Sequence, residues 1–226
     1  MHQECLFYKT ALKYYKMKIV IFGANGKTGS LLTEQALELG HHVIAYVRKA
    51  DSVSYNHPNL KVIVGDLNDK QKLKTAITGA DACISALGGS SLTHRSPEII
   101  AGIIDIITTM EQAKVHRFIY LSSIGAGESR FLMSKMARFF IVNLFLLVPL
   151  ADHNANEERI AGSNLQWTVI RPGRLNDEPK TDEINHGTDI IPMGGNRSIS
   201  RANVAAFILN QLGNERSFDK YIWLYE

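Results

Sequence analysis

The chain has 226 residues, 45% of them hydrophobic, enough to bury one full core, and a formal net charge of +3. That charge is too small to mark a nucleic-acid partner, and no run of five or more basic residues occurs. Two cysteines, Cys5 and Cys83, exclude a disulfide framework, and Cys83, inside an apolar run, suits packing in a reducing cytoplasm.

In chain order, residues 1–16 lack the apolar middle and small-residue cleavage site of a secretory signal. They read as an extension ahead of a single domain over residues 17–226, with Leu6, Phe7, Leu12, Tyr14 and Tyr15 available for a short surface helix. Lys18 to Phe22 is a β-branched apolar run that suits a strand buried on both faces. Gly23, Gly26 and Gly29 follow, enclosing Asn25, Lys27 and Thr28, and then Leu32, Ala36 and Leu39 recur at helical spacing as far as Gly40. Strand, glycine turn and helix together leave free backbone N–H groups and the positive end of a helix facing an anion. A side chain at Gly23 would hinder the turn, one at Gly26 would block a phosphate, and one at Gly29 would push the helix off the strand. The spacing departs from the usual Gly-x-Gly-x-x-Gly, so the flanking strand and helix supply the specificity.

A second strand is expected over residues 42–47, ending at Arg48-Lys49, and a third over 61–64, closed by Gly65-Asp66-Leu67. Asp69 can cap a helix carrying Leu73 and Ile77 that Gly79 stops. Residues 81–87 read as a fourth strand, with Gly88-Gly89 beyond it. Ser96-Pro97-Glu98 starts a long helix with Ile99, Ile103, Ile106, Ile107 and Met110 on one face. Residues 117–122 give a fifth strand, 152–163 a helix, 167–170 a sixth strand ending in Arg171-Pro172-Gly173, 200–213 a last helix and 221–225 a closing strand. The longest apolar run starts at Phe139 and ends at Leu150, interrupted by Asn143 and Pro149. It is shorter than the ~20 residues a membrane span needs. It reads as a helix or lid roofing a substrate pocket, with peripheral membrane contact the lesser alternative because Lys135 and Arg138 precede it.

Strands alternating with helices give an α/β, Rossmann-like, doubly wound parallel sheet in three layers, with a small substrate-side region toward the C terminus. Ligands in such sheets lie beyond the carboxyl ends of the strands. That rule selects Gly23 to Gly29, Arg48, Asp66 with Leu67, Ala86, Leu87 and Gly88, Ser122 and Ser123, and Arg171-Pro172. The second strand ends in arginine, with no acid until Asp51. A guanidinium pairs bidentately with a 2′-phosphate, which favours NADP over NAD; the alternative is a solvated surface charge at Arg48. Asp66 can either accept from the adenine amino group or cap the next turn. Trp167 and Phe118 read as core, and Arg171 as a donor to loop carbonyls beside Pro172, with an anion contact the lesser alternative.

On Gly23-Ala-Asn-Gly-Lys-Thr-Gly29, Val47-Arg48, Gly65-Asp66-Leu67, Ile84-Ser-Ala-Leu-Gly88, Tyr120-Leu-Ser-Ser123, Asp152-His153, Trp167-Thr-Val-Ile-Arg-Pro-Gly173 and Ile199-Ser-Arg-Ala-Asn-Val-Ala205, the chain resembles the atypical short-chain dehydrogenase/reductases. The resemblance is nearest to the NAD(P)H-binding, NmrA-like and biliverdin reductase B (flavin reductase) branch and runs from Met17 to the end. Typical members use a Tyr-x-x-x-Lys pair for acid–base work. Here those positions fall on Pro149 and His153, so the pair is absent. The resemblance therefore implies hydride transfer to a flavin, quinone or conjugated tetrapyrrole, which needs little proton help, with roles for Ser123 and His153.

Histidine exchanges its proton near neutral pH, so His153 is a candidate proton donor or ribose ligand; the alternative is a surface histidine in the first turn of a helix. Ser122 and Ser123 alternate across the strand, and Ser123 is expected to face the cofactor. A non-catalytic NADP(H) sensor is the competing expectation. A nucleotide-sugar epimerase comes third, because such enzymes rely on the missing pair.

Overall fold

The computed structural model describes residues 16–53, 56–88, 94–132, 147–189 and 197–226. The glycine turn sits between β1 (Lys18–Phe22) and α1 (Lys27–Glu38), at the centre of an eight-stranded sheet. Along the chain follow β2 (His42–Val47), β3 (Leu60–Val64), α2 (Lys70–Ile77), β4 (Ala82–Ser85), α3 (Pro97–Ala113) and β5 (Arg117–Leu121). After a 3₁₀ turn at Gly127–Leu132 come α4 (Leu147–Ala161), β6 (Gln166–Pro172), β7 (Arg174–Asn176), β8 (Asn185–Gly187), β9 (Ser198–Ser200), α5 (Arg201–Asn210) and β10 (Lys220–Tyr225).

The strand order is β3-β2-β1-β4-β5-β6-β10-β8, and every pair is parallel except β10 with β8. The chain reverses its direction of travel across the sheet between β1 and β4, and that crevice is where such sheets bind ligands. Alternation along β1 builds both faces. Ile19 and Ile21 pack with Leu32, Ala36, Ile208 and the rest of the layer under α1 and α5. Val20 and Phe22 pack with Leu73, Ile103, Met110 and Ile160 under α2, α3 and α4. A strand buried on both sides has no room for polar residues, which explains the β-branched run.

The three-layer reading holds, and so do the interior placements of Cys83, Phe118 and Trp167. Asp69 accepts from the Lys72 N–H at 3.0 Å, and Gly79 ends that helix at φ +72°. Some boundaries differ. Leu39 lies beyond the end of α1 and is 47% exposed, while Leu37 turns inward instead. The helix expected from residue 152 begins at Leu147, so Pro149 stands in its first turn, where a missing N–H costs nothing. The β7–β9 pair and the short β8 were not expected, since three-residue strands carry no periodic signal. The extension over residues 1–15 and residues 139–146 of the apolar run lie outside the described residues, so the lid and membrane-contact expectations for that run rest on sequence alone. Among the described residues, no helix is long and apolar enough to cross a membrane.

Candidate functional site

The three glycines differ in what surrounds them. Gly23 has φ +79°, and a Cβ there would lie 2.9 Å from the Ala86 carbonyl oxygen at the end of β4. A Cβ on Gly29 would fall 2.0 Å from the Gly23 carbonyl oxygen, far inside van der Waals contact. On Gly26 it would meet only that same oxygen, at 3.3 Å, and Gly26 is exposed. Two glycines are thus required by packing, whereas the third leaves a bare, solvent-facing stretch of backbone. The Gly26 N–H donates to Gly23 at 3.0 Å, and the first helical bond runs from Ser30 to Gly26 at 2.8 Å. No side chain caps α1, and no acidic residue stands in its first turn. The N–H groups of Lys27, Thr28 and Gly29 therefore point outward at the positive end of the helix, the arrangement that holds a pyrophosphate.

Around this turn lie the other residues selected from the sequence. Thr28 is buried, and Asn25 and Lys27 are exposed. The Lys27 ammonium pairs with Asp177 at 3.0 Å, and Asp177 also pairs with Arg201 at the start of α5. Arg48 is exposed at the end of β2 and makes no ion pair among the described residues. Asp66 is exposed too; its backbone carbonyl, not its carboxylate, accepts from Tyr46 Oη at 2.8 Å and from the Asp69 N–H at 3.1 Å. Leu67 rests on Gly102 of α3, where an added Cβ would come within 2.6 Å of it.

Ala86, Leu87 and Gly88 continue β4 past the turn, and Ala86 donates to Phe22 at 2.9 Å. Leu87 and Gly88 border a small open depression whose other walls include Ile99, Tyr120, His153 and Asn156. His153 sits in the second turn of α4 and faces this pocket, which corrects the surface-histidine alternative. Its Nδ1 lies 2.9 Å from Tyr120 Oη, which also accepts from Asn156 Nδ2 at 2.9 Å. Burial pulls the His153 pKa down to about 4, only partly offset by Asp152, so the ring is neutral at pH 7. Burial likewise raises the Tyr120 phenol well above its ordinary value, the Asn156 bond opposing and Glu157 and Asp152 adding to the rise.

The two serines part as their alternation requires. Ser122 is buried and donates to Glu157 Oε1 at 2.6 Å, whereas half-buried Ser123 donates to the Ile124 carbonyl, at 3.2 Å. Pro172 is buried at the end of β6, its carbonyl accepting from Ile124 at 2.9 Å. Arg171 does not serve loop carbonyls. Its guanidinium grips Glu157 at 2.7 and 3.1 Å, reaches Glu128 at 3.1 Å and lies over the Tyr221 ring. A fully buried guanidinium needs a counter-charge, and carbonyls would not have supplied one.

Sequence reading passed over Tyr120 and Asn156 as functional groups. Tyr120 is, with Arg117, one of two polar-tipped residues in the wholly buried β5, and a buried hydroxyl needs a partner. Asn156 lies three residues after His153, on the same helix face. Asp152 was noted only beside His153. Its carboxylate accepts from Arg95 Nε and from the Ser96 N–H, both at 2.8 Å, and so ties α4 to the start of α3.

Comparison with known proteins agrees with this geometry. The chain is 28% identical over 212 residues to the UPF0659 protein YMR090W of Saccharomyces cerevisiae, covering 87% of each. A short-chain dehydrogenase/reductase of Veillonella parvula, solved in complex with NADP, superposes with a TM-score of 0.77 at 20% identity, over 94% of this chain and 95% of that one. The anaerobilin reductase ChuY of Escherichia coli O157:H7 gives 0.76 at 24% identity, over 92% and 97%. At such identities these two structures establish the shared fold. The model of the NAD(P)H-binding family matches residues 23–215, from the first glycine of the turn to beyond α5, and the chain belongs to that family.

Proposed function

We propose that the protein is an NADPH-dependent reductase that passes hydride to a flat redox acceptor such as a flavin or a quinone. The observation that carries this reading is the open glycine turn, whose Gly23 abuts Ala86 and Leu87, together with the pocket that Leu87 and His153 line. The amides of Lys27, Thr28 and Gly29 would hold the pyrophosphate, and Arg48, unpaired among the described residues, the 2′-phosphate. When bound, the dinucleotide supplies the hydride; one further proton from solvent completes the reduced acceptor. The protein's own part is to bind, orient and exclude water. Neutral His153 offers an N–H donor at the pocket wall, which suits an acceptor that needs its oxygen or nitrogen polarised. Ser123 is not part of that wall, and its role rests on the family resemblance.

The test is steady NADPH oxidation with flavin, quinone and carbonyl acceptors, expected for the first two and weakened in His153→Ala and Ser123→Ala. Replacement of Arg48 by Glu should weaken NADPH binding far more than NADH binding. An equal loss of both removes the 2′-phosphate argument. A sensor that binds NADP(H) without turnover is the second reading, equally compatible with Pro149 and His153 standing where the family's tyrosine and lysine would be. Tight binding with no turnover on any acceptor selects it.

A further inference from the structure

The Tyr120–His153–Asn156 cluster adds a part that the proposed reductase reading does not assign. Asn156 is 1% exposed and directs its amide N–H to Tyr120 Oη, which lies 2.9 Å from His153 Nδ1. A hydroxyl has a single hydrogen. The amide end facing the phenol is the Asn156 N–H, and the buried Asn156 Oδ1 has no partner among the described residues. Among those residues Nδ1 is therefore the acceptor within reach of the phenol hydrogen, and a phenol donating to Nδ1 puts the ring proton on Nε2. Among the described residues no protein group hydrogen-bonds the second ring nitrogen, and the ring forms part of the pocket wall. Tyr120 itself stays protonated, because burial raises its pKa, so it does not hand its proton on.

Resting on the reductase reading, we infer that Tyr120 is a positioning residue that locks His153 in the Nε2–H tautomer, so that neutral His153 presents one fixed N–H donor to a carbonyl oxygen or ring nitrogen of the acceptor. His153 then polarises the acceptor by hydrogen bonding, and the proton that completes the reduced product comes from water. Asn156 orders the phenol from behind. The same three groups could be linked in the opposite sense, with Nδ1–H donating to Tyr120 and the phenol donating to Asn156 Oδ1. That arrangement would leave a lone pair, not a donor, facing the pocket, and the two are distinguishable.

The experiment is a long-range ¹H–¹⁵N correlation spectrum of histidine-labelled, ligand-free protein at neutral pH, with Tyr120→Phe beside it. The wild type should show His153 protonated on Nε2. Loss of one buried hydrogen bond in Tyr120→Phe should shift the tautomer ratio by about tenfold. That variant should also lose about tenfold in kcat with KM for NADPH unchanged, as expected for one misaligned donor. His153→Gln, whose amide nitrogen reaches the Nε2 position, should retain more turnover than His153→Leu. A wild-type proton on Nδ1, or a tautomer ratio unmoved by Tyr120→Phe, overturns the inference. Wild-type protein that shows the Nε2–H tautomer yet reduces no acceptor would instead overturn the reductase reading, leaving the tautomer lock standing.

Discussion

Gly26 and Gly29 stand three residues apart and should respond to the same substitution in different ways. A methyl on Gly29 collides with the Gly23 carbonyl at 2.0 Å, and nothing there is a flexible chain end that could give way. Gly29→Ala should lower the unfolding free energy in urea by about 3 kcal/mol or more. Gly26, at φ −74° and facing solvent, accepts the methyl at a cost below about 1 kcal/mol, yet should lose at least tenfold in NADPH affinity. His153 carries a pH prediction. Its proton is taken up near 6.5 in the unfolded chain and near 4 in the folded one. Between those values the unfolded chain binds more protons, so the contribution of the neutral ring is complete above pH 6.5 and is lost as pH falls toward 4. Denaturation midpoints of wild type and His153→Gln should therefore diverge between pH 7 and pH 4.5, the wild type losing on the order of 2–3 kcal/mol more. Parallel curves would place a solvated, ordinary histidine there. The Gly29 role was legible in the sequence, because its clash with Gly23 lies within seven residues, whereas the Gly23 clash with Ala86 arises only when β1 and β4 lie side by side. The state of His153 was not legible, because it is set by Tyr120, 33 positions away, and by burial that no local pattern records.

At the scale of elements, α4 is fastened to the sheet by charge as well as by packing. Arg171 at the end of β6 holds Glu157 of α4, Ser122 just past β5 donates to the same carboxylate, and Glu128 closes the guanidinium from the 3₁₀ turn. Four segments thus meet at one ion pair whose two side chains are 3% and 4% exposed. Arg171→Met should cost about 3–5 kcal/mol, since it strands a buried carboxylate, and Arg171→Met with Glu157→Leu should recover most of that loss. If both variants lose the same amount, the pair is not what holds these segments together. The loop that carries Ser123 begins at this knot, so its distortion in the single variant should also appear as lost turnover. The elements themselves were readable wherever a period ran for a full turn or more, as in the α3 face of Ile103, Ile106, Ile107 and Met110. Arg171 was misassigned because its partners, Glu157 and Glu128, come from segments whose approach only the assembled sheet brings about.

The whole molecule puts this knot, the pocket and the glycine turn on one side of the sheet. All lie beyond the carboxyl ends of β1, β4, β5 and β6, where the strand order reverses between β1 and β4. That placement follows from alternating strand and helix with right-handed crossovers, so the fold, and the edge of the sheet where the candidate site lies, were legible before any coordinates. The Tyr120–His153–Asn156 cluster was less so, because its groups come from β5 and α4 and meet only through the sheet. The central claim is that a pyrophosphate lies on the bare amides opening α1. The most direct measurement is a titration of NADPH followed by backbone ¹H–¹⁵N shifts. The account predicts saturable binding in which the amides of Gly26, Lys27, Thr28 and Gly29 move most. NADPH that fails to bind, or binds and leaves those four amides unmoved, would contradict it.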